Sequence, residues 1–120
     1  MIELIQGLPP HVLGFRATGT VTEADYKTAV IPAVDAMLAT HTTVRVLYYL
    51  GEEFSGFDAA AMWEDAKVGF MHLSAWERIA VVTDVEWIRA AMKVFGFLLP
   101  GRIRLFQNTE FQAARAWVSA

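Results

Sequence analysis

The side chains of this sequence that are most able to do chemistry are three histidines, one serine and two pairs of adjacent acids. His11, His41 and His72 lie far apart along the chain, and none has a second ligand at metal-binding spacing. Ser55 lacks the G-x-S-x-G pattern of an exposed nucleophile, and no motif ties a histidine to it. The sequence therefore predicts no catalytic residues, no metal site and no cofactor.

The acid pairs lead to the same expectation. Glu52 and Glu53 fall in a predicted loop, and nothing beside them in the sequence tunes either one for acid–base chemistry. Glu64 and Asp65 are neighbours on a predicted helix, where adjacent side chains diverge by about 100°. We expect both to face water or to cap a neighbouring strand, and we expect the protein not to be an enzyme.

The composition is apolar for a chain of this length. Of the 120 residues, 55% are hydrophobic and 19% are charged, and the mean hydropathy is +0.35. About half apolar and roughly a quarter charged is usual for a globular domain. Two interpretations stay open: a sheet covered on both faces, or an apolar surplus that forms a pocket, a partner interface or a membrane-facing patch.

The net charge and the cysteine content exclude one class of partner and one kind of cross-link. The net charge of -3 provides no basic field for nucleic acid, and the absence of cysteine excludes disulfides.

The first residues lack the basic and apolar regions of a signal peptide, and no run of about eighteen apolar residues occurs. We expect a cytoplasmic protein, with a peripheral position at the inner membrane face as a second option.

Hydrophobic periodicity predicts the element order ββαβαβαβα. The predicted strands are residues 2–6, 12–20, 43–50, 77–84 and 102–107. The predicted helices are residues 22–40, 58–73 and 85–95 and a final helix that starts at 109. Pro32 is expected to kink or break the first helix, and residues 51–57 are expected to form a loop.

The order of these elements predicts the fold class. A short turn at residues 7–10 joins the first two strands into an antiparallel hairpin, and the later strands alternate with helices, which implies parallel crossovers. We predict one α/β domain over residues 1–120, with a mixed five-stranded sheet flanked by about four helices.

The third predicted helix carries more apolar surface than a sheet can cover. One stripe contains Ile88, Met92 and Phe95, and a second line, about a quarter turn away, contains Trp87 and Leu98. The sequence FGFLLPG at residues 95–101 follows. It either closes the core, with Gly96 as a left-handed cap, or forms an apolar lip hinged at its two glycines over a pocket.

Basic residues cluster in the same region. Arg89, Lys93, Arg102 and Arg104 occur there without an acid between positions 89 and 104, although the whole chain is negative. Cations beside an apolar patch suit an anionic membrane surface. A solvated helix face followed by two strand arginines explains the run equally well.

Three short motifs carry a resemblance to a known family. They are WED at residues 63–65, ERIAVV at 77–82 and PGRIRLF at 100–106. With these motifs the chain resembles the SpoIIAA-like family of small bacterial proteins, which is related in fold to STAS domains and to the CRAL-TRIO lipid-transfer domain. The resemblance implies a mixed sheet of about five strands with helices around it.

The resemblance implies two functions. The lipid-transfer fold implies a small hydrophobic ligand and membrane association through movement of apolar helices. The STAS fold implies antagonism of an anti-sigma factor, switched by a phosphoserine at the start of the helix after the central strand. In this chain Asp58 is present, but Ala59 and Ala60 stand where the serines would be. No phosphosite is expected.

These observations leave two hypotheses. The first is a binding module for a small hydrophobic or lipid-like ligand between the second and third helices. Its candidate walls are Trp63, Phe70, Met71, Trp87, Met92, Phe95, Phe97 and Leu98. Its candidate head-group or membrane contacts are Lys93, Arg102 and Arg104. The second is a STAS-type regulatory domain whose apolar surface docks a partner protein or a second copy of the chain.

Overall fold

Five strands form the main sheet of this computed structural model, which describes residues 1–120 with the exception of the Phe70 side chain. The strands of the chain are β1 Ile2–Leu4, β2 Val12–Ala17, β3 Gly19–Val21, β4 Val44–Leu50, β5 Phe54–Phe57, β6 Trp76–Thr83 and β7 Ile103–Phe106. The strand order in the main sheet is β1-β2-β4-β6-β7; β1 pairs with β2 in antiparallel fashion and the other pairs are parallel. The predicted mixed five-stranded α/β fold is confirmed.

Four helices connect or follow these strands. Helix α1 is continuous over three segments, Glu23–Asp25, a π-helical turn at Tyr26–Val30, and Ile31–Thr40. The others are α2 Ala59–Met71, α3 Glu86–Phe95 and α4 Phe111–Ser119, the last preceded by a 3-10 turn at Asn108–Glu110.

Pro32 widens helix α1 instead of breaking it. Proline lacks an N–H, and its ring crowds the carbonyl four residues earlier. The turn just before Pro32 is π-helical, and the N–H of Ile31 donates to the carbonyl of Tyr26. The wider turn accommodates the ring while the helix continues to Thr40.

The second predicted strand, residues 12–20, is two strands. The chain turns at Gly19, whose φ is +60°, and β3 then leaves the main sheet to pair in parallel with β5. Strand β5 lies within residues 51–57, so the prediction of a loop there was wrong. Its four residues are too few, and its Ser55 and Gly56 too weakly strand-forming, for a periodic signal.

The alternation of side chains along the central strands divides the core into two layers. Val44, Val46 and Val81 pack with helices α1, α2 and α3 on one face of the sheet. Leu47 and Val82 point the other way and pack against α4. One face of the sheet is therefore covered by a single helix and the other by three.

The segment after α3 both seals the core and exposes apolar side chains. Gly96 has a φ of -61°, so its prediction as a left-handed cap was wrong. The chain instead continues in tight turns, in which the N–H groups of Leu98 and Leu99 donate to carbonyls three residues earlier. Leu99 is 4% exposed and part of the core, whereas Phe97 is 85% exposed and Leu98 is 49% exposed.

The two adjacent leucines provide a matched test of this arrangement. Replacing Leu99 with alanine should lower the free energy of unfolding by about 2–5 kcal/mol, because a buried leucine leaves a cavity. Leu98→Ala, the control, should change it by less than about 1 kcal/mol. Urea unfolding followed by circular dichroism measures both values. Equal effects of the two substitutions would contradict the structure of this segment.

Candidate functional site

A cavity of about 280 Å³ lies between helices α2 and α3 and the sheet face that they cover. Its walls are mostly apolar. Side chains that line it from the sheet and from α1 include Phe15, Val46, Val81, Val30 and Val34. An engineered apolar cavity of about 150 Å³ is sufficient to bind benzene. This cavity is therefore large enough for a small organic molecule.

Small residues on the two helices leave this space open. Ala66 and Gly69 of α2 and Ala91 of α3 all line the cavity. A Cβ added to Gly69 would lie 3.3 Å from Cζ of Phe95, so the two helices come close together at their C-terminal ends. Met62 and Trp87 line the cavity nearer the N-terminal ends and are half exposed. The cavity thus reaches the surface between the helices.

One corner of the cavity is polar. The Tyr26 hydroxyl donates to Oδ1 of Asp65 at 2.6 Å and lies 3.0 Å from the Tyr48 hydroxyl. All three residues line the cavity. Burial raises the pKa of the Asp65 carboxyl, and the hydrogen bond from Tyr26 offsets part of that rise. Burial, followed by the nearby charge of Asp65, also raises the pKa of both tyrosines.

Two helix caps position this cluster. Thr22 forms a capping box with Asp25, which starts α1 one turn before Tyr26. The Asp58 carboxylate accepts from the N–H of Ala61 at 2.7 Å and starts α2 two turns before Asp65. The pairing of β3 with β5 brings the N-terminal ends of α1 and α2 together. The side chains of Tyr26 and Asp65 therefore both lie near the end of β4 that carries Tyr48.

Several residues predicted as ligand contacts do line the cavity and others do not. Trp87, Met92 and Phe95 are part of its wall. The Phe70 side chain lies outside the described residues. The remaining predicted residues are exposed. We use the name apolar rim for the exposed large apolar side chains of α2, α3 and the turn after α3, which are Met62, Trp63, Met71, Trp87, Val94, Phe97 and Leu98. Ligand contact by any of these residues stays a prediction.

The prediction that Glu64 and Asp65 face water was wrong. Glu64 is buried and pairs with Lys67 at 2.9 Å, and Asp65 lies at the cavity corner. A signal was present in the sequence. Met62, Asp65 and Gly69 follow the spacing i, i+3, i+7 of a single helix face, and that face is the one directed at the core.

The three predicted head-group cations do not line the cavity. Arg104 lies over the rings of Phe106 and Trp117, on the α4 side of the sheet. Arg102 donates to the carbonyl of Trp76 at 3.4 Å, and Lys93 is exposed on α3. Their contact with a head group or a membrane stays a prediction.

The described part of the chain contains neither a metal-binding cluster nor a membrane-spanning helix. Its side chains contain no group of three or more histidines and acids arranged to bind a metal ion. None of its helices combines the length and the hydrophobicity needed to span a lipid bilayer.

Asp65→Asn tests the buried carboxyl. The folded-state pKa of Asp65 lies above its ordinary value of 3.8, so its protonation stabilises the folded protein. That contribution is complete below about pH 4 and is lost as the pH rises through the raised pKa. Asparagine never ionises, so the free energy of unfolding of the variant should rise relative to the parent as the pH increases from about 4 through the raised pKa of Asp65.

Urea unfolding across this pH range measures the difference. Asp35→Asn is the control, because Asp35 is exposed on α1. A constant difference between the parent and Asp65→Asn would contradict the buried position of this carboxyl.

Comparison with known proteins identifies the family. The chain is 26% identical to an uncharacterised protein of the DUF3478 family from Shewanella loihica PV-4, whose crystal structure has a SpoIIAA-like fold. That alignment covers 98% of this chain and 92% of the other, with a TM-score of 0.76. The unphosphorylated form of the anti-sigma factor antagonist SpoIIAA is 14% identical, with a TM-score of 0.57 over 89% of this chain and 86% of SpoIIAA, a likeness of fold alone.

No curated protein matches the chain at a significant level. The family model described as SpoIIAA-like matches residues 12–119. Because this match extends over nearly the whole sequence, the chain belongs to the SpoIIAA-like family.

Proposed function

We propose that this chain is a non-enzymatic regulatory domain that binds a partner protein through its apolar rim. Membership of the SpoIIAA-like family supports a regulatory role, and the structurally similar SpoIIAA is an anti-sigma factor antagonist. The observation that carries the proposal is the rim itself. Methionine and aromatic residues are enriched where proteins bind one another, and the rim exposes several of them on two neighbouring helices.

The composition of the apolar rim favours a surface that a partner protein covers. Trp63 and Met71 on α2 and Phe97 after α3 each leave most of their surface in water. Trp87 and Val94 are seven residues apart on α3 and therefore share one helix face. Covering such side chains with a partner removes apolar surface from water, which contributes roughly 25 cal/mol per Å².

The proposed interaction has no phosphoserine switch at the start of α2. Asp58 caps that helix, and the following positions, Ala59 and Ala60, are exposed and have no hydroxyl to modify. Phosphorylation at these two positions therefore plays no part in the proposed interaction.

A matched pair of leucines tests the rim. Leu98 is 49% exposed within the rim, and Leu4 is 48% exposed on β1, outside it. A photoreactive residue at position 97 should capture the partner in cells, and the captured protein is then purified. Leu98→Ser should weaken binding of that partner at least tenfold in calorimetry, whereas Leu4→Ser should leave binding unchanged.

Light scattering of the purified chain separates a second copy from a different partner. A dimer that Leu98→Ser dissociates would assign the rim to self-association and overturn the proposal. Equal weakening by the two leucine substitutions would also overturn it.

A second candidate function is the binding of a small hydrophobic or lipid-like molecule. The observation that favours it is the cavity of about 280 Å³ between α2 and α3, which reaches the surface beside Trp87. Its apolar walls match the usual composition of a ligand pocket, in which a few polar groups orient the ligand.

Mass spectrometry of organic extracts tests this second function. Protein purified from cells should release a small apolar molecule. Ala66→Leu, which adds a branched side chain to the cavity wall, should release at least tenfold less. Ala39→Leu is the control, because Ala39 is exposed on α1. Consistently empty parent protein would contradict the function.

A further inference from the structure

The two hydroxyl groups at the polar corner of the cavity form hydrogen bonds with each other and with Asp65. Tyr26 donates its proton to Asp65, and Tyr48 then donates to the Tyr26 oxygen. A tyrosine has one proton to donate, and an ionised carboxylate has none. The distance of 2.6 Å between Tyr26 and Asp65 is in the range of a charge-assisted hydrogen bond. With Asp65 ionised, the corner therefore presents only acceptors to a ligand, on Asp65 and Tyr48.

The carboxylate at this corner has no positive neighbour among the described side chains. Its only hydrogen-bond donor there is Tyr26, which is neutral. The two lysines of α1 and α2 pair elsewhere, Lys27 with Glu23 and Lys67 with Glu64. A buried carboxylate without a counter-charge is unfavourable. A cation that entered the cavity would supply that charge, whereas an anionic head group would be repelled.

We infer that the cavity binds a small, mostly apolar molecule that carries one protonated amino group, and that this group donates to Asp65. The inference rests on the second candidate function and specifies its ligand class. The hydrocarbon part fills the apolar walls formed by α2, α3 and the sheet. Compared with the 150 Å³ or so that accommodates benzene, the cavity has room for a ligand of about ten non-hydrogen atoms. It excludes a fatty acid or a phospholipid whose anionic head would lie at this corner.

Four probes of similar size and different head groups test this inference. They are 2-phenylethylamine, 2-phenylethanol, propylbenzene and phenylacetate, each titrated into the parent protein and followed by amide NMR shifts. The amine should bind at least tenfold more tightly than the alcohol or the hydrocarbon, and phenylacetate should bind more weakly than either. The shifts should map to α2, α3 and Tyr26.

Two adjacent acids provide the matched variants. Asp65→Asn should reduce the affinity for 2-phenylethylamine at least tenfold and leave that for propylbenzene unchanged. Glu64→Gln removes the same charge from a buried acid that does not line the cavity, so it should leave both affinities unchanged.

The outcomes separate this inference from the function on which it rests. If propylbenzene binds but the amine binds no more tightly, or if Glu64→Gln weakens amine binding as much as Asp65→Asn does, the cavity remains a hydrophobic site and the amine inference is overturned. If none of the four probes binds, the inference and the second candidate function both fail.

Discussion

The need to cover both faces of a largely parallel sheet determines most of this structure. Strands β4 and β6 place apolar side chains on alternate faces, so neither face can be left in water. Helix α4 fills one face with Ala114 and Val118. The other face requires α1, α2 and α3 together, and the small side chains of α2 and α3 prevent complete filling. The cavity and the apolar rim are two results of this one arrangement.

The cavity and the rim lie on the same two helices and share Met62 and Trp87 at the point where the cavity reaches the surface. The core-directed side of α2 carries Asp65 and Gly69, while Trp63 and Met71 of the same helix face water. A ligand inside and a partner outside would therefore both contact α2 and α3. The polar corner makes the inner site selective for the head group of a ligand. An apolar cavity without Asp65 would bind apolar ligands with little discrimination between their head groups.

Much of the fold could be predicted from the sequence, because the long elements carry strong periodic signals. The buried strand at Trp76–Thr83 and the capped helix after Asp58 are examples. Strand β5 could not be predicted, since four residues that pair outside the main sheet leave no pattern. The polar corner was missed for a different reason. Tyr26, Tyr48 and Asp65 lie on three separate elements, and only the register of β3 with β5 brings them together.

The small β3–β5 pair has a mechanical consequence. The N–H of Asp58 donates to the carbonyl of Val21 at 3.0 Å, so α2 starts from a point tied to the start of α1. The far half of α2 is tied as well, because the indole N–H of Trp76 on β6 donates to the Gly69 carbonyl at 3.0 Å. Asp65 lies between these two attachments. A stiff helix that is fastened on both sides of a residue leaves it little freedom to tilt away, so the spacing between Asp65 and Tyr26 is set by the strands that hold α2 in place.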